Sequence, residues 1–247
     1  MHRTGLIVAL AIAAVTGLAF GLFPALDLGI ASVFYAVRDA SGHTFAWRLS
    51  PTLMTIHGVA LNAGFVLVAP AVIALALKLL MPRRRMLISG RAMVFLISTM
   101  VLGPGLLVNV VLKDHWGRPR PIDVTQFVGD QHFVAWWDPR GDCPNNCSFV
   151  SGDVSTTAWT FAPAALVPPP YRALAYGAAL ALTGFMAVIR MMAGAHFPSD
   201  TIFAGVFTFL VIWLVYALIY RWRTRLDDKT IEAGLERISI VRWLSRR

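Results

Sequence analysis

Six stretches of this chain, residues 6–24, 54–80, 92–112, 154–167, 173–189 and 202–220, are nearly free of charge. About 20 consecutive apolar residues suffice to cross a bilayer as a helix, and lipid tolerates only elements that satisfy their own backbone hydrogen bonds. With 57% of its 247 residues hydrophobic, the chain is expected to be all-α: a polytopic membrane protein of six transmembrane helices, forming one domain over residues 1–220. The fourth stretch is short and is expected to begin within Ser151-Gly152-Asp153. The second is long enough to tilt or to start outside the bilayer. The first run is too long for a signal-peptide core and lacks an Ala-x-Ala site near its end, so it reads as a retained span.

Charge orients these spans. Placing the loop Pro82–Arg91 in the cytoplasm brings Arg3, Arg83, Arg84, Arg85, Arg91, Arg172 and the basic C-terminus to the same side. Outside the polar motifs, the other side then holds only Arg38, Arg48 and Arg140 as basic residues. Both termini are therefore expected in the cytoplasm. The net charge of +9 reads as orientation and contact with anionic headgroups. No basic, aromatic-interleaved face suggests nucleic acid as a partner.

Three polar stretches interrupt the opposite side. In Arg190-Met-Met-Ala-Gly-Ala-His196-Phe-Pro-Ser-Asp200, the imidazole and carboxylate are four residues apart, so one helical turn is expected to join them. A carboxylate on one ring nitrogen leaves the other free as a nucleophile or base. Arg190 presents a planar fork suited to phosphate. In Lys113-Asp-His-Trp-Gly-Arg-Pro-Arg-Pro121, the two prolines keep Arg118 and Arg120 on a stiff, extended segment. Ser148-Phe-Val-Ser-Gly-Asp153 is a small-residue turn leading into an apolar run, and amide groups at a helix start favour an anion.

In order and spacing these stretches resemble the type-2 phosphatidic-acid phosphatases, a family of membrane lipid phosphatases. Lys113 with Arg120-Pro121 matches its first motif, Lys, six residues, Arg-Pro. Arg190, His196 and Asp200 match its third, with Ile189 in place of a Ser. Its second motif, Pro-Ser-Gly-His, here reads Val150-Ser151-Gly152-Asp153. The resemblance implies a core helical bundle with an extracytoplasmic site and phosphoester hydrolysis through a phosphohistidine. His196 would attack phosphorus and Asp200 would hold the ring. Lys113, Arg120, Arg190, Ser151 and Gly152 would bind the phosphate, with no cofactor and no metal. Arg118 and His115 would stand just behind. The family's second-motif His is held to protonate the leaving oxygen, so Asp153 raises three readings: a protonated general acid, replacement by His115, or a leaving group needing little help.

The flanking text, including Phe23-Pro-x-Leu-Asp-Leu28, is most similar to the bacterial lipid A phosphatase branch. That branch implies the inner membrane, a periplasmic site and a phosphorylated lipid as substrate. The alternatives are a polyprenyl-pyrophosphate or phosphatidylglycerophosphate phosphatase, a lipid-to-lipid phosphotransferase, or a non-catalytic lipid-binding protein. Cys143 and Cys147 are expected to form a disulfide in an oxidising compartment, in preference to a metal site or free thiols. Trp116, Phe133, Trp136 and Trp137 are expected in an aromatic belt. Ile30, Val33, Phe34 and Val37 suggest a short surface helix. In the basic tail 221–247, Ile231, Leu235, Ile238 and Val241 suggest an amphipathic helix along the membrane.

Overall fold

A computed structural model describes residues 1–35, 45, 47, 48, 50–222 and 226–238 of the chain. Among the described residues, five helices are long and apolar enough to cross a membrane: α1 (Arg3–Leu22), α3 (Pro51–Leu80), α4 (Gly90–His115), α7 (Pro169–Met192) and α8 (Pro198–Arg221). Between α1 and α3 lies the short α2 (Ala25–Ser32). The fourth apolar stretch is not one long span. It folds as α5 (Gly152–Ala158) and α6 (Phe161–Leu166), and a last helix, α9 (Asp228–Arg237), follows α8. Among the described residues there is no strand, only a bridge between Val124 and Gln131. The protein is thus an all-α, multi-pass membrane bundle.

The position of α5 and α6 explains their brevity. Almost every residue of α5 is buried, and it packs against α3, α4, α7 and α8. A segment enclosed by protein need not be long, apolar or unbroken, because neighbouring helices rather than lipid surround it. Trp159 at the break is fully buried and donates its indole N–H to Thr99 Oγ1 at 2.9 Å. The outer helix α1 has the opposite character, with Ile7, Val15, Leu18 and Leu22 turned outward.

Local chemistry sets the helix ends. Ser50 accepts the Leu53 N–H as an N-cap ahead of Pro51, and Ser89 does the same for Ala92 at the start of α4. Pro104 lacks the N–H that an α-helix needs, so α4 widens into a π-helical stretch over Val101–Leu112. Asn109 Nδ2 donates to the Pro104 carbonyl at 2.7 Å, meeting an acceptor that the wider register frees.

The ends of α1, α4 and α7 and the starts of α3, α5 and α8 share one end of the bundle, and the start of α1 lies at the other. There α9 docks onto α3 and α4: Lys78 donates to Glu232 and Glu236 at 2.7 and 2.9 Å, and Ile231 seats on Gly90. A side chain at position 90 would meet Ile231 at 3.0 Å, so glycine is what lets the helix approach. Ile231 therefore faces protein, whereas a helix lying along the membrane was expected; Val241 lies outside the described residues. In the α1–α3 connection, Ile30 falls in α2, Val33 and Phe34 in the turn after it, and Val37, Arg38 and Asp39 outside the described residues. Asp27 and Ala31 of α2 are buried, so that helix is part of the packed layer rather than a surface element.

Candidate active site

The turn between α7 and α8 is built by a Schellman motif. Gly194, at φ +64°, donates to Met191 O at 2.9 Å, and Ala195 donates to Arg190 O at 3.0 Å. A Cβ on Gly194 would lie 2.5 Å from the Phe45 ring, so both the backbone and the space require glycine. Helix α8 then begins at Pro198, with Phe197 as its N-cap. His196 consequently precedes the helix, and its spacing of four from Asp200 does not place the two on one turn. The expected His196–Asp200 hydrogen bond is not made. Asp200 Oδ2 instead folds back to accept the Phe197 N–H at 2.8 Å, closing the first turn of α8.

His196 is held by a backbone carbonyl. Its Nδ1 donates to Ser148 O at 2.7 Å, and the residue is 1% exposed. A carbonyl can only accept, so Nδ1 carries the proton and the neutral ring leaves its lone pair on Nε2. Burial holds the imidazole well below its ordinary range, with the charges of Arg190, Arg120 and Lys113 pushing the same way against the Ser148 bond. Ser148 also links the two motif residues, since its hydroxyl donates to Asp200 Oδ2.

Behind His196 sits a fully buried ionic cluster. Arg118 donates through NH1 to Asp200 Oδ1 and to Ser199 Oγ, and through NH2 to Asp27 Oδ2 at 2.7 Å. Its Nε reaches Val134 O at 3.1 Å, and its guanidinium lies 4.6 Å from the Phe197 ring centroid. Burial alone would lower the Arg118 pKa, but Asp200 and Asp27 outweigh it and raise the value. Asp27 further accepts from the Ser199 backbone and hydroxyl at 3.0 and 2.7 Å. Arg118 is therefore a keystone between α2, the α4–α5 connection and α8, not a contact facing the pocket.

The phosphate-binding candidates converge beside this cluster. A Cβ on Gly152 would lie 2.5 Å from Asn109 Oδ1 and 3.5 Å from Lys113 Nζ, so the glycine lets the end of α4 close on the α5 turn. Ser151 caps α5 by accepting from Val154 N at 3.4 Å. Arg120 is anchored by Asn146, donating to its carbonyl and side-chain oxygens at 2.7 and 2.9 Å. Arg190 Nε lies 2.9 Å from Asp153 Oδ2, yet this buried N–H has no hydrogen bond. The ion pair is close but misaligned, which leaves donor capacity on Arg190. Asp153 Oδ2 also sits 3.1 Å from His57 Nε2 of α3. His57, Arg120 and Arg190 line a cavity of about 570 Å³ together with Arg48, Asp123 and Gln131.

A Cys143–Cys147 disulfide joins the loop whose Cys143 lines this cavity. The loop is stitched to the first motif by Cys143 N to Gly117 O, Cys147 N to Lys113 O and Ser148 N to Arg118 O. His115 is elsewhere: it is exposed, with Nδ1 3.1 Å from the Val110 and Val111 carbonyls of its own helix. It does not reach the cavity and so cannot stand in for the family's second-motif His. Of the expected aromatic belt, Trp116 and Trp136 pack around Phe149, Phe133 packs on Phe197, and only Trp137 is exposed. The family resemblance assigns no role to Asp27, His57, Ser148 or Ser199. Asp27 does lie within the Phe23–Leu28 signature, and His57 is a polar residue in an otherwise apolar span; those were the available signals.

Residues 92–224 match the PAP2 superfamily. A lipid A 4'-phosphatase of Francisella tularensis subsp. novicida is 37% identical over 90% of this chain and 98% of its own length. One of Rhizobium etli is 31% identical over 83% of this chain and 72% of its own, and one of Rhizobium leguminosarum 38% over 49% and 52%. No solved structure gives a significant match. Apolar helices, the two specific motifs converging on one cavity and a full-length relative together place this chain in the PAP2 superfamily, as a membrane phosphatase that acts on lipid phosphates.

Proposed function

We propose that the protein removes the 4'-phosphate of lipid A, through a phosphohistidine on His196, at the periplasmic face of a bacterial inner membrane. The observation that carries this is the state of His196: Nδ1 is committed to the Ser148 carbonyl and Nε2 is free among three cationic side chains. In the first step Nε2 attacks phosphorus and the P–O bond to the sugar breaks. Lys113, Arg120 and Arg190 stabilise the charge spread over the equatorial oxygens, with the Ser151 hydroxyl and Gly152 amide as further donors. Asp200 acts at one remove, holding Ser148 and Phe197 so that His196 stays aimed. Water then cleaves the P–N bond and releases phosphate. The choice of lipid A and of the 4' position rests on the names of the relatives. Residues 1–220 form the catalytic domain in this reading, and 221–247 a basic cytoplasmic tail.

Phosphate release by the protein in detergent tests the substrate. Lipid A phosphorylated only at 4' should be turned over in preference to lipid A phosphorylated only at position 1, to undecaprenyl pyrophosphate and to phosphatidylglycerophosphate. EDTA should leave the rate unchanged, because side chains already provide the positive charge. Release from none of these lipids, or a strict need for a divalent metal, would overturn the reading.

The orientation rests on charge. Arg83, Arg84 and Arg85 join α3 to α4 at the end opposite the cavity, with Arg91 in the first turn of α4, and such basic loops stay in the cytoplasm. In a variant lacking Cys143 and Cys147, a cysteine introduced beside Arg140 should react with an impermeant reagent applied to spheroplasts, and one beside Arg84 should not. The reverse pattern would place the chemistry in the cytoplasm.

A further inference from the structure

We infer that His57 is the general acid of this enzyme and that Asp153 is its positioning partner. The inference rests on the phosphatase reading above and identifies the proton donor that the altered second motif leaves unassigned. The 4' position of a sugar is an ordinary secondary alcohol. Its oxygen is a poor leaving group, so the reaction needs a proton at the moment the P–O bond breaks. Asp153 occupies the place of the family's His but is not free to act as an acid. One of its oxygens lies 3.1 Å from His57 Nε2 and 2.9 Å from Arg190 Nε, so its side chain is turned onto the imidazole and the guanidinium.

His57 is also well placed. It sits two turns into α3, is about a quarter exposed, and lines the same cavity as Arg120 and Arg190. Charged groups lining the cavity with His57 include Arg190 of α7, Arg120 and Asp123 of the α4–α5 connection and Arg48 ahead of α3, with Asp153 of α5 against His57 and Lys113 of α4 acting on Asp153. Substituting Asp for His at position 153 shortens the side chain and reverses its charge. The Asp153–His57 pair then puts an imidazole beside the second motif, on the wall of the cavity. Asp153 engages Nε2, so Nδ1 is the nitrogen that gives its proton to the sugar oxygen as His196 Nε2 bonds to phosphorus. The alcohol departs, leaving neutral His57 and phosphorylated His196. In the second step Nδ1 takes a proton from the attacking water as the P–N bond breaks, and the imidazolium of His57 is restored. Atoms and charge balance over the cycle with water as the only co-reactant.

His57→Gln is the informative variant, since glutamine can still donate a hydrogen bond to Asp153 but cannot deliver a proton. On lipid A 4'-phosphate it should lose roughly 10²–10⁴-fold, the usual scale of acid–base assistance. On p-nitrophenyl phosphate, whose leaving group needs no proton, the loss should be far smaller. Adding Asp153→His to His57→Gln should restore most of the lipid activity by returning an imidazole to the second motif. Equal losses on the two phosphates with no rescue would mean that His57 only shapes the cavity, and an undiminished rate on the lipid would remove it from the mechanism. If the wild type and His196→Ala are equally inactive on every phosphate, the phosphatase reading itself fails, and the assignment of His57 fails with it.

Discussion

His196→Gln abolishes phosphate release in our expectation, a loss on the order of 10⁴–10⁶-fold, as when the nucleophile of a cooperating catalytic group is removed. Nothing else at the site can take its place: His57 is engaged by Asp153, and His115 points back at its own helix. Glutamine is the better replacement because its amide can still donate to the Ser148 carbonyl and so preserve the turn. Phosphate release measured with lipid A 4'-phosphate checks the prediction, and a rate within tenfold of the wild type would eliminate the phosphohistidine. The same variant tests the electrostatics. An unperturbed imidazole titrates at about 6.5, whereas burial and then Arg190, Arg120 and Lys113 hold His196 well below that. As pH falls through about 6.5 the unfolded chain therefore binds a proton at this position and the folded chain does not, so folded stability decreases in that window. His196→Gln should remove this part of the acid sensitivity. Thermal unfolding between about pH 5 and 7 is the cleaner readout, because the second ionisation of a phosphate monoester near 6 also shapes the activity profile.

Arg118→Ala should be the most destabilising single substitution in the chain. The side chain is wholly buried and holds Asp27 and Asp200 from two other elements. Its loss strands two carboxylates without a counter-charge, which costs about 3–5 kcal/mol in comparable buried pairs. Arg118→Lys should recover only part of this, since an ammonium group cannot satisfy Val134, Ser199, Asp27 and Asp200 together as the planar fork does. Thermal unfolding in detergent should show a large downward shift for both variants, with activity lost in proportion. Arg118→Ala with wild-type thermal stability and reduced phosphate affinity would instead return Arg118 to the role of a headgroup contact.

The contrast between these two residues shows what could be read from the sequence. His196, Arg190 and Lys113 were identifiable because their spacing follows the chain: two residues near one connection, and a motif whose period survives in one dimension. Arg118 was visible as a candidate, but its role was not, since its partner Asp27 lies 91 residues away. His57 and Asp153 are 96 residues apart, and neither position alone suggests a pair.

The misreadings have a common origin. His196 and Asp200 were expected to meet because four residues make one helical turn, but the turn starts at Pro198 and the capping geometry captures Asp200 first. The fourth apolar stretch was expected to span alone, but it is enclosed by its neighbours and broken at Trp159. Hydrophobic periodicity and charge asymmetry are properties of local sequence, because burial in lipid acts on each segment separately; they sufficed for the membrane class, the helices and the three polar motifs. Which carboxylate holds which cation depends on distances between segments that the chain brings together only on folding. The Arg118 cluster, the Ser148 bridge to His196 and the His57–Asp153 pair were therefore decided by tertiary packing, where a buried charge must find its partner wherever the fold has put one.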